Sequence, residues 1–322
     1  RPSGSTSRGV ALSERHVVVP RGMAGVPTEH GDFNVQGPSV IRCPTWLPDP
    51  PGAYLLYFAH HRGASIRLAA SDHPAGPWHL VSSDVLNAED AAPVLPTDHP
   101  NLHVASPDVQ VDEEGRRLRM TFHGHVSPSA GGHLPSWGAY PTYDQHTLVA
   151  TSQDGRRFLP LLDGPAISPS YQRGFAWGGW CYGLSMPSQL VRSVDGLSGY
   201  EYGPTLFDDA EIRHSGVLVD GHHLRIWFTR AGDAPERIME CRVDLRGDWA
   251  DWRPSEPVEV LRPAEPWEGA DLPVEPTTRG PAFQPQNGLR DPFVLDDDGE
   301  RWLYYAAAGE FALGVVRLPE PP

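Results

Sequence analysis

The chain has 322 residues and a formal net charge of −15, and all 26 basic residues are arginine. The negative charge repels polyanions, so we expect no nucleic-acid partner. The absence of lysine excludes a pyridoxal phosphate Schiff base and a P-loop lysine, and we expect neither that cofactor nor a nucleotide. No apolar run of ~18 residues occurs, which argues against a membrane association.

A repeated pair of short strands organises the chain. A small or polar residue, often beside proline, opens an apolar strand; an acidic or glycine turn follows, and an aromatic-rich strand completes the unit. The unit occurs four times, at 37–61, 106–125, 214–232 and 291–310. The interval between the second and third copies is long enough for one more unit. The repeat predicts an all-β fold, a single five-bladed β-propeller in which each blade packs on its neighbours.

The predicted elements follow the repeat in chain order. Residues 1–8 are predicted to be a disordered arm, and 9–322 to form the propeller domain. The strand-like segment 9–19 is expected to join the last blade and close the ring, which would remove an exposed sheet edge. The predicted blades cover 33–90, 103–163, 171–207, 211–262 and the residues from 287 onward. The Pro-rich segment 262–286 is too long for a simple connector and is a candidate wall of a pocket.

The three cysteines carry little information about chemistry. Cys43, Cys181 and Cys241 have no CxxC spacing, so neither a disulfide framework nor a Cys-rich zinc site is indicated. We interpret them as buried thiols in a reducing compartment and therefore expect a cytoplasmic protein. The sequence gives no indication of an oligomeric state.

Two segments resemble the five-bladed β-propeller glycosidases of glycoside hydrolase families 43, 32, 62 and 117. RDPFVLDDDGERWLYYAAAGE at 290–310 is similar to their blade-opening pattern, and IRLAASDHPAGPW at 66–78 to the run that closes their first blade. The resemblance implies a central axial pocket where an Asp base, a second Asp and a Glu acid meet. These three residues open the inner strands of the first three blades in that group.

The chain departs from that pattern at the opening positions. They are Gly37, Ser106, His214 and Asp291, together with one residue within 171–186 that the pattern does not identify. A glycosidase needs two carboxyl groups that flank the scissile bond. Strand alternation puts Asp108 on the same face as Ser106 and so within reach of the site. The predicted catalytic residues are therefore Asp291, Asp108, His214 and Glu310, with Glu310 as proton donor.

Histidines cluster at the ends of the second strands. His60 and His61 end that strand in blade 1, and His123 and His125 in blade 2. Equivalent positions in a ring face one another, so these imidazoles are expected to converge. Three interpretations stay open: metal ligands, acid–base or substrate contacts, and structural histidines. The metal interpretation assigns one divalent ion, Zn²⁺ or Ca²⁺, to His60, His123, His214 and Glu310.

Six residues are predicted to bind substrate, and three of them have an individual structural alternative. Arg67 could instead point outward from its strand, Trp180 could pack between blades, and Arg290 could form a structural ion pair with Asp291. The predicted substrate-binding residues are Asn34, His61, Arg67, His125, Trp180 and Arg290.

These patterns lead to three hypotheses for function. The first is a glycoside hydrolase-like enzyme that acts on a carbohydrate or glycoside in the axial pocket by carboxylate and histidine acid–base chemistry. The second is a metal-dependent lyase, isomerase or cyclase acting on a small molecule, with a His/Glu-bound ion as Lewis acid. The third is a carbohydrate-binding propeller without catalysis.

Overall fold

A computed structural model describes residues 14–29, 31–91, 95, 102–125, 145–163 and 166–319. They form five antiparallel sheets whose inner strands contact one another in a closed ring, from blade 1 through blade 5 and back to blade 1. The prediction of an all-β five-bladed propeller is therefore confirmed. The arm predicted at 1–8 lies outside the described residues.

Each blade consists of strands that pair in chain order, with the first strand nearest the axis. The N-terminal strand is β1 (Arg15–Val19). Blade 1 contains β2 (Gln36–Arg42), β3 (Tyr54–Ala59), β4 (Ser65–Ser71) and β5 (His79–Asn87). Blade 2 contains β6 (Ala105–Asp112), β7 (Arg117–His125), β8 (Gln145–Ser152), β9 (Leu159–Pro160) and β10 (Ser168–Pro169), and both short strands pair with β8.

The remaining blades are regular four-stranded sheets. Blade 3 contains β11 (Arg173–Trp177), β12 (Trp180–Ser185), β13 (Gln189–Ser193) and β14 (Glu201–Thr205). Blade 4 contains β15 (Ile212–Asp220), β16 (His223–Arg230), β17 (Ile238–Asp244) and β18 (Val258–Leu261). Blade 5 contains β19 (Arg290–Asp297), β20 (Glu300–Ala307) and β21 (Ala312–Arg317).

The N-terminal strand supplies the outer strand of blade 5. β1 pairs antiparallel with β21, with His16 opposite Val315. This is the ring closure that the sequence predicts.

Apolar strands with two buried faces explain where the core lies. All six residues of β3 are buried, and its continuous apolar sequence YLLYFA fits a strand covered on both sides. Each large hydrophobic cluster spans two adjacent blades, such as Tyr57 of blade 1 with Met120 of blade 2, or Phe228 of blade 4 with Tyr182 of blade 3. The core is thus a set of seams between blades.

Helical structure in the described residues is limited to two 3-10 turns, Trp249–Asp251 and Pro266–Glu268. No described helix has the length or apolar character to cross a membrane.

Candidate functional site

A left-handed backbone residue lies at the beginning of the inner strand in four of the five blades. These residues are Gly37 (φ 61°), Ser106 (49°), Tyr171 (61°) and Asp291 (52°). Residues other than glycine rarely adopt this conformation, and it persists where surrounding structure enforces it, often at functional sites. We call this side of the axis, where the inner strands begin, the opening end. The side where the inner and second strands turn into one another is the hairpin end.

Close packing at the opening end explains why blade 1 begins with glycine. A Cβ at Gly37 would lie 2.9 Å from the Cα of Ser106. The Gly37 N–H donates a hydrogen bond to Oδ2 of Asp291 at 3.1 Å. Blades 1, 2 and 5 therefore meet at this point, and there is no room at position 37 for the carboxylate that the family resemblance implies.

Asp291 and His214 form a buried pair. Nδ1 of His214 lies within hydrogen-bond distance of Oδ1 of Asp291, and both side chains are buried. Burial lowers the pKa of His214 to about 4, although Asp291 acts in the opposite direction. Burial acts to raise the pKa of Asp291, but its pairing with His214 outweighs burial and lowers that pKa. At neutral pH the pair is a carboxylate and a neutral imidazole.

Glu310 is the second buried carboxylate, and four donors surround it. Oε1 accepts from Nδ1 of His61 at 2.9 Å and from Arg290 at 3.2 Å; Oε2 accepts from the Asn34 amide at 2.6 Å and from the Ala282 N–H at 3.2 Å. Burial acts to raise the pKa of Glu310, but these donors outweigh it and hold that pKa well below its usual range. Glu310 is thus an ionised acceptor.

Arg290 connects this carboxylate to a third one. It is fully buried, and it donates to Glu236 at 3.1 Å and to the Gln286 side chain at 2.9 Å. Nε of Arg213 lies 2.9 Å from the other oxygen of Glu236. Arg290 therefore pairs with Glu236 and Glu310, and not with its neighbour Asp291 as the structural alternative supposed.

The Pro-rich segment 262–286 contacts the site, as expected of a pocket wall. The carbonyl oxygen of Gly280 accepts from Arg290 at 3.2 Å, and the Ala282 N–H reaches Glu310. Phe283, the next residue, is 57% exposed, and the guanidinium of Arg62 lies 4.9 Å from the centroid of its ring.

A row of rings leads from His214 toward blade 2. Tyr171 stacks on His214 with ring centroids 3.4 Å apart, and the ring of His123 lies 4.2 Å from that of Tyr171. Nε2 of His123 is 3.4 Å from Nε2 of His103, whose ring is 4.9 Å from that of His125. Burial and the neighbouring imidazoles lower the pKa of His123 well below its usual value, so this imidazole is neutral.

Two predicted residues hold the loop that carries Asn34. Arg67 is fully buried, and it donates to Glu29 at 2.8 Å and to the Asn34 carbonyl oxygen at 3.3 Å. Nε2 of His60 lies 2.9 Å from Oδ1 of Asp32, and burial lowers the pKa of His60. Both residues therefore stabilise the loop that contains Asp32 and Asn34.

Asp108 is placed deeper along the axis than the other predicted carboxylates. It pairs with Arg173 at 3.3 Å, and burial raises its pKa. Arg173 also donates to the carbonyl oxygens of Pro38 and Ser215, so it ties neighbouring blades together. A register shift between β6 and β7 at 105–108 breaks the alternation on which the prediction for Asp108 was based.

Trp180 lies at the hairpin end of blade 3, on the opposite side from the opening residues. It pairs with Trp177 across the β11–β12 turn. The guanidinium of Arg192 lies 4.2 Å from the centroid of its ring. The strand direction that places Tyr171 at the opening end necessarily places Trp180 away from it, so Trp180 does not join the predicted binding set.

The predicted metal ligands do not form a compact group. No three of His60, His123, His214 and Glu310 have ligand atoms within 4.8 Å of one another. His60 faces Asp32, whereas His214 and Glu310 have separate partners. Within the described residues, the grouping that meets this distance is His222, His223 and Asp244 at the hairpin end of blade 4.

Sequence reasoning missed several members of the cluster. Tyr171 opens blade 3 without the proline that follows the opening residue in blades 1, 2 and 5, so only its spacing before a strand could have identified it. Glu236 lies in a turn that is equally consistent with exposure, yet it is completely buried. Arg213 and His103 lie next to recognised positions, but no local pattern distinguishes them.

Comparisons with known proteins agree with the fold. No protein-family model matches the chain. The chain is 33% identical over 321 residues to the uncharacterized protein R118 of Acanthamoeba polyphaga mimivirus. The match covers 91% of this chain and 86% of the relative.

Among solved structures, a glycosyl hydrolase from Bacteroides ovatus has a TM-score of 0.61 at 12% identity, covering 97% of this chain and 95% of that one. A thermostable family-43 glycoside hydrolase has a TM-score of 0.55 at 13% identity, covering 89% and 90%. The resemblance to five-bladed glycoside hydrolase propellers is thus confirmed at the level of the fold.

Proposed function

The chain belongs to the family of the mimivirus protein R118, and we propose that it is a glycoside hydrolase-like enzyme that cleaves a glycosidic bond at the opening end of its propeller. One observation carries the proposal. Two histidine–carboxylate pairs, Asp291 with His214 and Glu310 with His61, lie at this end of the axis, and all of these side chains except that of His61 are buried. Hydrolysis of a glycoside needs one group that accepts a proton and one that donates it, so two positioned pairs match the requirement.

The Asp291–His214 pair has the properties of a general base. Oδ1 of Asp291 lies against Nδ1 of His214, so the carboxylate favours the tautomer with its proton on Nδ1 and a lone pair on Nε2. With a pKa of about 4, His214 is neutral at pH 7 and able to take a proton. Asp291 then stabilises the imidazolium that forms, and its left-handed backbone keeps the carboxylate aimed at His214.

His61 is the proton donor in this proposal, and Glu310 is its partner. The low pKa of Glu310 supports a carboxylate that orients and stabilises, in place of the proton-donating role that the sequence suggests. His61 acts as donor in its doubly protonated form: its Nδ1–H is directed at Glu310, and the proton on Nε2 passes to the leaving-group oxygen. Its side chain is 13% exposed, whereas that of Glu310 is 1% exposed, so His61 is the more accessible of the two.

The charge balance of the cluster favours the transition state of glycoside cleavage. Three buried carboxylates, those of Asp291, Glu310 and Glu236, face two buried arginines, Arg213 and Arg290. Once His61 has passed its proton to the leaving group, and with His214 neutral, the three carboxylates outnumber the two arginines and the group carries a net negative charge. An oxocarbenium-like transition state is positive and is stabilised by such a preorganised field.

The proposal is tested with a panel of 4-nitrophenyl glycosides that covers the common sugars and both anomers. We expect turnover of at least one glycoside by the wild type and a loss of about 10²–10⁴-fold in kcat for His214→Gln, the range for a general base. His79→Gln, at an exposed histidine of β5, is the matched control and retains full turnover. Unimpaired hydrolysis by His214→Gln would remove the proposed base.

A binding function without catalysis is the second candidate, and one observation favours it. The openings of blades 1, 2 and 3 carry Gly37, Ser106 and Tyr171, none of which is a carboxylate. Titration calorimetry with oligosaccharides separates the two candidates, because saturable binding without release of sugar from any glycoside identifies a binding protein.

The metal-dependent hypothesis keeps its own test. Elemental analysis of protein purified without chelator is expected to give about one Zn²⁺ or Ca²⁺ per chain if a lyase, isomerase or cyclase site is present. A metal content far below one per chain would count against it.

A further inference from the structure

Phe283 is an exposed aromatic residue on a segment that is fixed on both sides. The Gly280 carbonyl oxygen accepts from Arg290, the Ala282 N–H donates to Glu310, and the Gln286 side chain accepts from Arg290. Segment 280–286 is therefore anchored to the site at three points. The exposure of Phe283 follows from this geometry and not from a loose loop.

Arg62 holds the ring from one side. Its guanidinium carbon lies 4.9 Å from the centroid of the Phe283 ring, and its Nη2 donates to Asp32 at 2.9 Å. Arg62 directly follows His61 in the chain, so the ring, the guanidinium and the proposed proton donor are neighbours. Phe283 thus contacts Arg62 and still exposes 57% of its surface to solvent.

An exposed aromatic ring beside buried polar groups suits a sugar. The apolar face of a pyranose packs on an aromatic ring, while its hydroxyl groups accept hydrogen bonds from a nearby guanidinium. Phe283 is the only aromatic side chain among the exposed large hydrophobic residues in the part of the chain that the structure describes. Its neighbour Ala282 donates a backbone hydrogen bond to Glu310, which places Phe283 beside the site.

We propose that Phe283 and Arg62 form a subsite for the sugar unit next to the one held between the two histidine–carboxylate pairs. The substrate class is then an oligosaccharide, or a glycoside with a second ring, in which that ring stacks on Phe283. The inference rests on the proposed function for the position of the cleaved bond.

The test compares substrates with and without a second ring. Disaccharides and trisaccharides of the sugar preferred in the glycoside panel have this ring, and the glycosyl fluoride of the single sugar lacks it. For Phe283→Ala we expect KM for the oligosaccharides to rise about tenfold with kcat unchanged, from the loss of one stacking contact. KM for the glycosyl fluoride stays at the wild-type value, and Phe283→Trp restores oligosaccharide binding.

Val274→Ala is the matched control, because Val274 lies in the same Pro-rich segment and is 60% exposed. It leaves both KM values unchanged. If Phe283→Ala and the wild type have the same KM for oligosaccharides, or if KM for the glycosyl fluoride rises equally, the subsite is refuted while the proposed hydrolysis stands.

The inference and the proposed function can fail separately. If the wild type cleaves none of these substrates, titration calorimetry with the same oligosaccharides decides the subsite alone. Binding that weakens about tenfold in Phe283→Ala supports it without hydrolysis. Binding that is equal in both proteins, or absent at millimolar concentration, overturns it.

Discussion

The two ends of the propeller axis are built from the same inner strands but differ in chemistry. At the opening end, left-handed residues such as Asp291 and buried charges such as Glu310 and Arg290 make a network of ion pairs. At the hairpin end, a cavity of about 350 Å³ is lined by valines such as Val40 and Val109 together with four charged residues, Arg42, Asp108, Arg173 and Asp296. Charged groups are costly to bury unless each has a partner, and at the opening end each of these buried charges has one.

Arg173 marks the boundary between the two ends. It comes from blade 3, donates to carbonyl oxygens of blades 1, 2 and 4, and lies 5.2 Å from the Phe293 ring of blade 5. One side chain thus contacts every other blade at the axis. In this interpretation its ion pair with Asp108 stabilises the fold, whereas the carboxylates of Asp291 and Glu310 take part in the proposed reaction.

The largest expected effect separates the two predicted aspartates. Asp291→Asn should lower kcat by about 10³-fold, because the amide no longer stabilises an imidazolium on His214, while asparagine still tolerates the left-handed backbone. Asp108→Asn should keep kcat within about fivefold, since its contacts are those of the axial ion pair. Glycoside turnover by both variants is the measurement. An equal loss in Asp108→Asn would return Asp108 to the catalytic set that the sequence predicts.

The second effect compares the two axial arginines by stability. Arg290→Met should cost about 3–5 kcal/mol, because two buried carboxylates lose a partner. Arg173→Met should cost less, about 1–3 kcal/mol, mainly for carbonyl oxygens left without a donor. Asp108 already has a raised pKa and can take up a proton when Arg173 is absent. Urea unfolding at pH 7 measures both, and the reverse order would contradict this division of roles.

The third effect is a pH dependence of stability from His214. Its folded pKa of about 4 lies below the unfolded value of ~6.5, so between these values only the unfolded chain binds the proton. The contribution of neutral His214 to the free energy of unfolding is therefore present above pH 6.5 and is lost as the pH falls toward 4. From pH 7 to pH 5 the loss should be about 2 kcal/mol larger in the wild type than in His214→Gln. If the unfolding free energy changes equally between pH 7 and pH 5 in the two proteins, the pKa of His214 is not lowered by folding.

The smallest effect concerns the hairpin end. Trp180→Ala removes a ring packed against Arg192 and should lower stability by about 1 kcal/mol. It should leave KM and kcat within about twofold, because Trp180 lies away from the opening residues. A large rise in KM would instead support the substrate-binding role predicted from the sequence.

The accuracy of the sequence-based predictions depended on how local the underlying pattern is. The expectation that His61, His214, Asp291 and Glu310 lie near one another is met, because these residues are at the ends of repeated strand pairs that the ring brings together. Asp108 was placed by strict alternation, which the register shift at 105–108 invalidates. Tyr171 was missed because the inner strands of blade 3 lack both the opening proline of blades 1, 2 and 5 and the repeated strand–turn–strand pattern.

The sequence by itself determined the number of blades, their order and the ring closure, since alternation and turn residues act over a few neighbouring positions. Only the tertiary structure decided which partner each buried charge takes. Glu310 and Asn34 are 276 positions apart, and the ring brings them to 2.6 Å. Local periodicity contains no information about such contacts, because they depend on bulges and on how the blades close around the axis.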